Sequence, residues 1–201
     1  MIVAALLGGI SLSKDAFVSL GAPGLFVVAV LEFFLLPVPP DVVLVPLVIA
    51  TPEFALGYAL IATAGSVLAG SLGYAIGRRG GRPVLQSRFD EDRVTRYESY
   101  LDRNALAVVG IGAFAPLPEG YEILSISAGA LGLDFRAYLL ASLLGRGGKY
   151  ATEAVLVLAL GEAATSLSEV DLYTATGAVA IAIVATYLLR RFVSTLSAVT
   201  R

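Results

Sequence analysis

From Phe54 to Gly77 the chain runs through 24 positions without one charged side chain. At about 1.5 Å per residue this stretch makes a helix of about 36 Å, enough to cross a hydrocarbon core of about 30 Å. The composition agrees: of 201 residues, 57% are apolar and only 15% charged, and the mean hydropathy is +0.84. A soluble domain carries about a quarter charged residues. This chain has too few to coat a water-facing surface, so an ordinary cytosolic enzyme is disfavoured.

Histidine, cysteine and tryptophan are missing altogether. That excludes Cys/His zinc sites, thiol nucleophiles, a Ser-His-Asp triad, disulfides and His- or Cys-ligated haem. No cofactor and no metal is expected, and no catalytic residue is assigned. The formal charge of −2 hides a local excess: seven arginines and no lysine lie between Arg78 and Arg103. Acids are interleaved with them and apolar runs flank them, which suggests a cytoplasmic loop rather than a nucleic-acid site.

These features predict an all-α, polytopic membrane protein forming one integral membrane domain. Residues 1–15 are too short for a span and read as a partial or interfacial helix, with no cleaved signal peptide. Residues 16–52 are almost continuously apolar but are broken by Pro37-Val38-Pro39-Pro40, with Glu32 before the break and Asp41 after it. Proline cannot continue a helix and pushes its predecessor out of the helical region. The expected form is a helix, a bend at membrane depth and a second half-helix. Residues 53–77 form a span, along which Gly65, Ala69, Gly73 and Gly77 recur every fourth position. Such a stripe suits close helix packing or a gliding surface.

Residues 78–103 open on a glycine turn at Gly80-Gly81 and continue as an amphipathic surface helix. Residues 104–133 repeat the earlier interruption at Pro116-Leu117-Pro118, beside Glu119 and Glu122. Residues 136–161 and 172–190 are two further spans, the first containing Arg146, Lys149 and Glu153.

Lysine and arginine bias places 78–103 and the C-terminus, with Arg190 and Arg191, on the cytoplasmic side of the cell membrane. The segment 104–133 must then return to the face it came from. The same holds for 16–52 from the opposite face. Two proline-broken re-entrant helical hairpins, each followed by a long span, have the look of an inverted repeat. A local echo supports it: Phe54, Tyr58, Ala62 and Gly65 resemble Phe135, Tyr138, Ala141 and Gly145.

An ionised carboxylate in hydrocarbon costs several kcal/mol, so Glu32, Asp41, Glu119 and Glu122 must be protonated, paired or facing a watery cavity. Each is a candidate proton carrier. Glu119 and Glu122 equally suit simple capping of a half-helix N-terminus. Arg146 and Lys149 lie one helical turn apart on one face, with Glu153 a turn further. They suit either a phosphate site or an internal salt-bridge set with Glu153. Gly145-Arg-Gly-Gly-Lys149 fails as a phosphate loop, because Leu143 and Tyr150 stand where glycine and Ser or Thr are needed.

Several short motifs occur in a fixed order: Glu32-x4-Pro37-x-Pro39-x-Asp41, Gly73-Tyr74-x-x-Gly77-Arg78, Phe114-x-Pro116-Leu117-Pro118, the run from Ala128 to Leu133, Phe135, and Gly145-Arg146-x-x-Lys149-Tyr150. This order, over about residues 24 to 161, resembles the DedA / SNARE-associated (VTT domain) superfamily, and most of all its short YqaA-like branch.

The resemblance implies membrane proteins with two opposed re-entrant loops that move lipids, with bacterial relatives linked to polyprenyl-phosphate or phosphatidylethanolamine recycling coupled to ion gradients. Many DedA proteins place arginines beside the second proline motif. Here those positions carry none, so Arg146 and Lys149 are the cations left to meet a phosphate.

The expectation is a lipid or lipid-phosphate translocase, flippase- or scramblase-like and not an enzyme. Its partners are membrane lipids and not nucleic acid, with homo-oligomerisation left open. Glu32, Asp41, Glu119, Glu122, Arg146 and Lys149 are the candidate substrate and ion residues. Pro37, Pro39, Pro116, Pro118, Gly73 and Gly77 are structural. The alternative is a non-transporting scaffold that organises partners in the membrane.

Overall fold

The computed structural model describes residues 18–34, 39–88, 91–115 and 120–161, with scattered positions from 163 to 186; side chains at 82–98 and 100–102 are not among them. Expectations for residues 1–15, for most of the 172–190 span and for Pro37, Pro116, Pro118 and Glu119 lie outside the described residues. Within them every element is helical. In chain order these are α1 (Ala22–Leu31), α2 (Asp41–Ala50), a 3-10 turn (Pro52–Phe54), α3 (Ala55–Arg88), α4 (Glu91–Phe114), α5 (Gly120–Ala130) and α6 (Phe135–Leu160).

The element lengths follow from where the breakers fall. Helix α1 begins with proline in its first turn and ends at Glu32, and α2 starts directly after Pro40, so each has 10 residues and extends only about 15 Å. Helix α4 bends at Asn104, whose φ of −122° and ψ of 20° leave the helical region, so that only 105–114 belong to its apolar part. Helix α5 has 11 residues. By contrast α3 runs for 34 residues and α6 for 26. The expected turn at Gly80-Gly81 is absent: α3 continues through both glycines to Arg88. Glycine weakens a helix by only about 1 kcal/mol, and the close approach of Ala130 to Gly81 rewards the helical path.

Helices α1 and 105–114 of α4 pack in the same way on the two long helices. A Cβ at Gly65 of α3 would lie 2.8 Å from the Phe26 carbonyl oxygen and 2.9 Å from Ala29 Cβ. A Cβ at Gly145 of α6 would meet the Gly110 carbonyl oxygen and, at 2.7 Å, Ala113 Cβ. Both glycines admit a backbone oxygen and an alanine three residues on. The contacts also fix directions. Gly70 faces Tyr121, Gly77 faces Ile126 and Gly81 faces Ala130, so α3 and α5 run parallel. One half therefore consists of α1, α2 and α3 and the other of 105–114, α5 and α6, each short α2- or α5-type helix lying against the long helix of the opposite half.

The glycine stripe of α3 is a packing surface. Gly65 and Gly73 receive Phe26, Ala29 and Phe33 from the first half, while Gly70, Gly77 and Gly81 receive Tyr121, Ile126 and Ala130 of α5. Gly129 reciprocates by admitting the Tyr74 carbonyl. Helix α5 ends in a Schellman cap: Gly132, at φ 72°, donates to Gly129, and Leu133 donates to Ala128. Asp134 then caps α6 by accepting from the Ala137 N–H at 3.0 Å. Tyr74 donates to the Leu133 carbonyl and receives a hydrogen bond from Arg78 at 3.0 Å, tying α3 to this corner.

Outside, α3 exposes Leu56, Leu60, Leu68, Leu72 and Ile76, and α6 exposes Leu140, Leu143, Leu144, Val155 and Leu158. The segment Pro52–Gly81 is, among the described residues, the one helix long and apolar enough to cross a membrane. Helix α6 has the length but carries Arg146, Lys149 and Glu153 on its inward face.

Gly77→Ala must displace the Ile126 backbone and is expected to cost about 1–3 kcal/mol. Gly80→Ala, with open space around its Cβ, is expected to be neutral or to stabilise by up to about 1 kcal/mol. Thermal unfolding of the two variants in detergent checks the contrast.

Candidate functional site

Four charged residues are almost sealed from the surface: Asp41 is 3% exposed, Lys149 4%, Arg146 6% and Glu153 1%. They gather where α3 and α6 cross. Ser66 and Arg146 are 80 positions apart and follow the equivalent glycines Gly65 and Gly145; Arg146 Nε donates to Ser66 Oγ at 2.7 Å. Counting the same step along α3, Ala69, Gly70 and Gly73 stand where α6 carries Lys149, Tyr150 and Glu153. The small residues of α3 at these positions receive other elements, Gly70 the Tyr121 ring and Gly73 Phe33.

The ends of the short helices complete the cluster. Asp41 is the first residue of α2, where the helix dipole favours a negative charge. Lys149 Nζ donates to both of its oxygens, at 3.0 and 2.9 Å. Glu32 closes the C-terminal end of α1, and its Oε2 lies 3.4 Å from Arg146 Nη2. Arg146 Nη2 also donates to the Tyr150 hydroxyl at 2.8 Å. Its guanidinium sits 4.8 Å from the centre of the Tyr121 ring, carried on the first turn of α5, and 5.1 Å from that of Tyr150. Lys149 Nζ is 4.8 Å from the Tyr150 ring and 3.3 Å from Glu153 Oε1. Cations held over aromatic faces and against carboxylates are the form in which charge survives burial.

Of the six residues expected to bind substrate or ions, the fold brings Glu32, Asp41, Arg146 and Lys149 into one ion-pair set. Glu122 is half-buried next to Tyr121 and stands outside the set; Glu119 lies outside the described residues. Of the two sequence readings of Lys149, the internal salt-bridge set is the one seen: Lys149 pairs with Glu153 and also with Asp41 from another element. Sequence reasoning passed over Ser66, Tyr121 and Tyr150 as site residues. Tyr150 was within reach, because a tyrosine four residues after Arg146 shares its helix face. Ser66 and Tyr121 gave no local signal, for their role arises from the helix crossing. A second buried network lies beside the cluster: Tyr138 donates to Ser125 at 2.8 Å and meets the Tyr121 hydroxyl at 3.2 Å. No group of three or more acidic side chains among the described residues is arranged to hold a metal ion.

Removing one partner of a buried pair leaves its mate uncompensated, a loss of about 3–5 kcal/mol. Lys149→Met strands Asp41 and is expected to lower stability by that order, whereas adding Asp41→Asn to it should recover a large part. A double-mutant cycle on thermal unfolding measures this coupling.

Similarity to known proteins agrees with the geometry. The chain is 26% identical over 138 residues to an uncharacterized protein of Haemophilus influenzae, covering 67% of this chain and 71% of that one. No solved structure matches it. The VTT domain matches residues 36–159, a span that holds both long helices and the whole cluster apart from Glu32. This chain belongs to the VTT domain (DedA / SNARE-associated) family of membrane proteins.

Proposed function

We propose that this protein is a translocase for phosphate-bearing lipids, and that it moves them without changing them chemically. In this reading α1–α2 and 105–114–α5 are two re-entrant hairpins, each about half a bilayer deep, that enter from opposite faces. The exposed leucines of α3 and α6 face lipid tails. The cytoplasmic side holds the Arg78–Arg103 segment and the C-terminus.

The observation that carries the proposal is the unequal grip on Arg146. Ser66 and Tyr150 hold it at 2.7 and 2.8 Å, but its carboxylate partner Glu32 is 3.4 Å away and keeps 23% of its side chain exposed. Lys149 is gripped far more tightly by Asp41. Glu32 is therefore the partner that a phosphate can displace. A proton taken up by Glu32 frees the guanidinium, and a lipid phosphate, itself a good match for Arg, occupies the place. When the phosphate leaves, Glu32 returns its proton and closes the pair. Asp41 opens α2 beside Lys149 and Tyr121 stands in the first turn of α5 beside Arg146, so the N-termini of both short helices border the cluster and favour an anion there. Burial at a helix crossing is where transporters built from repeated halves hold their substrates.

The test is lipid movement in reconstituted liposomes, with head-group-labelled phospholipid and with polyprenyl phosphate, each with and without a pH gradient. Hydrogen bonds to a charged group are worth about 1.5–3 kcal/mol, so Arg146→Ala should slow movement at least about tenfold. Arg146→Lys, which keeps the charge, should retain part of it. Glu32→Gln should abolish the response to the gradient and leave a folded protein. Absence of movement for both lipids with folded protein would end the translocase reading and favour a membrane scaffold.

A further inference from the structure

Charge arithmetic at the helix crossing points to a residue that the transport reading does not use. The buried set holds three carboxylates, Glu32, Asp41 and Glu153, against two cations, Arg146 and Lys149. One negative charge is left over in a largely buried site, where an unbalanced charge costs several kcal/mol. The surplus has an address. Asp41 accepts two hydrogen bonds from Lys149, and Glu32 is partly open to solvent and faces Arg146. Glu153 is 1% exposed, has only a 3.3 Å contact from Lys149 to Oε1, and lies against the Asp41 carboxylate, which can accept its proton.

We propose that Glu153 is a neutral acid in the resting protein, so that the resting cluster carries no net charge and the Arg146 site takes a singly charged phosphodiester. The second half rests on the transport reading above; the first does not. Glu153 faces Lys149 on its own helix and the Asp41 carboxyl group beside it, with Arg146, Tyr150 and Glu32 beyond them. Helix α3 brings no charge to it, since none stands between Phe54 and Gly77. A bound metal cation in place of the proton is disfavoured by the ammonium of Lys149, 3.3 Å from Oε1. The count then closes. With Glu153 neutral, Glu32 and Asp41 balance Arg146 and Lys149. When Glu32 gains a proton, the cluster carries one positive charge, which a phosphodiester monoanion cancels. A phosphomonoester dianion would leave the site negative.

Infrared spectroscopy of the full-length protein at neutral pH tests the first half without any transport. The wild type should show the carbonyl band of a protonated carboxyl group that Glu153→Gln removes and Glu32→Gln leaves. Glu153→Gln, an isosteric neutral side chain, should also leave the midpoint of thermal unfolding unchanged. Absence of the band in the wild type, or its survival in Glu153→Gln, would overturn the proposal, as would a large fall in the unfolding midpoint.

The second half is read as proton uptake in weak buffer on adding phosphatidylglycerol micelles to the detergent-solubilised protein. About one proton per bound lipid is expected in the wild type and in Glu153→Gln, and none in Glu32→Gln. Binding of a polyprenyl monophosphate as its dianion, with only one proton taken up and at equal affinity, would overturn the monoanion assignment. Binding of neither lipid alongside the expected infrared band would end the transport reading and the monoanion assignment but leave Glu153 a neutral acid.

Discussion

The pairing of Lys149 with Asp41, and of Arg146 with Ser66 and Glu32, is the interaction on which the rest of this molecule depends. A charge taken from water into a helical interior costs several kcal/mol, and attraction compensates only when the geometry is tight. The two cations sit on one face of α6, so the ends of α1 and α2 have to meet that face. This constraint explains why the first break in the chain falls where it does. The proline cluster ends one short helix beside Glu32 and starts the next at Asp41, delivering both carboxylates to the same crossing.

The glycines are the other side of that requirement. The crossing can hold the Arg146 guanidinium against the Tyr121 ring because α3 offers Ser66 as a partner and Gly70 as space for that ring. Close backbone approach at Gly65, Gly77, Gly129 and Gly145 then seals the site. Two halves with the same helix arrangement have thus taken unequal roles. One supplies both cations, and the other supplies Ser66, the space at Gly70 and two of the carboxylates. The asymmetry carries over to chemistry, since the loosest contact of the cluster, between Arg146 and Glu32, is also its most solvent-accessible one.

Much of this was legible before any coordinates. The apolar runs, the proline breaks and the four-residue glycine spacing fixed helices, their approximate ends and their packing faces. The ordered motifs pointed to the VTT family, to which the chain belongs. Glu32, Asp41, Arg146 and Lys149 stood out because charges in apolar surroundings are costly and so seldom idle. The turn expected at Gly80-Gly81 was misread, because glycine is a weak helix breaker when a neighbouring helix needs its missing side chain. Tyr121 and Ser66 were invisible as site residues, for neither is unusual in its own segment.

The sequence by itself determined which segments are helical, where they break and which residues carry charge, because these depend on local backbone preference and on the cost of burying polar groups. The partnerships were decided by tertiary structure alone. That Lys149 meets Asp41 across 108 positions, and that Arg146 meets Ser66 and Glu32 rather than its helix neighbour Glu153, follows from two long helices crossing at equivalent glycines. Contacts so distant in the chain are set by the mutual fit of helix surfaces, which no single segment encodes.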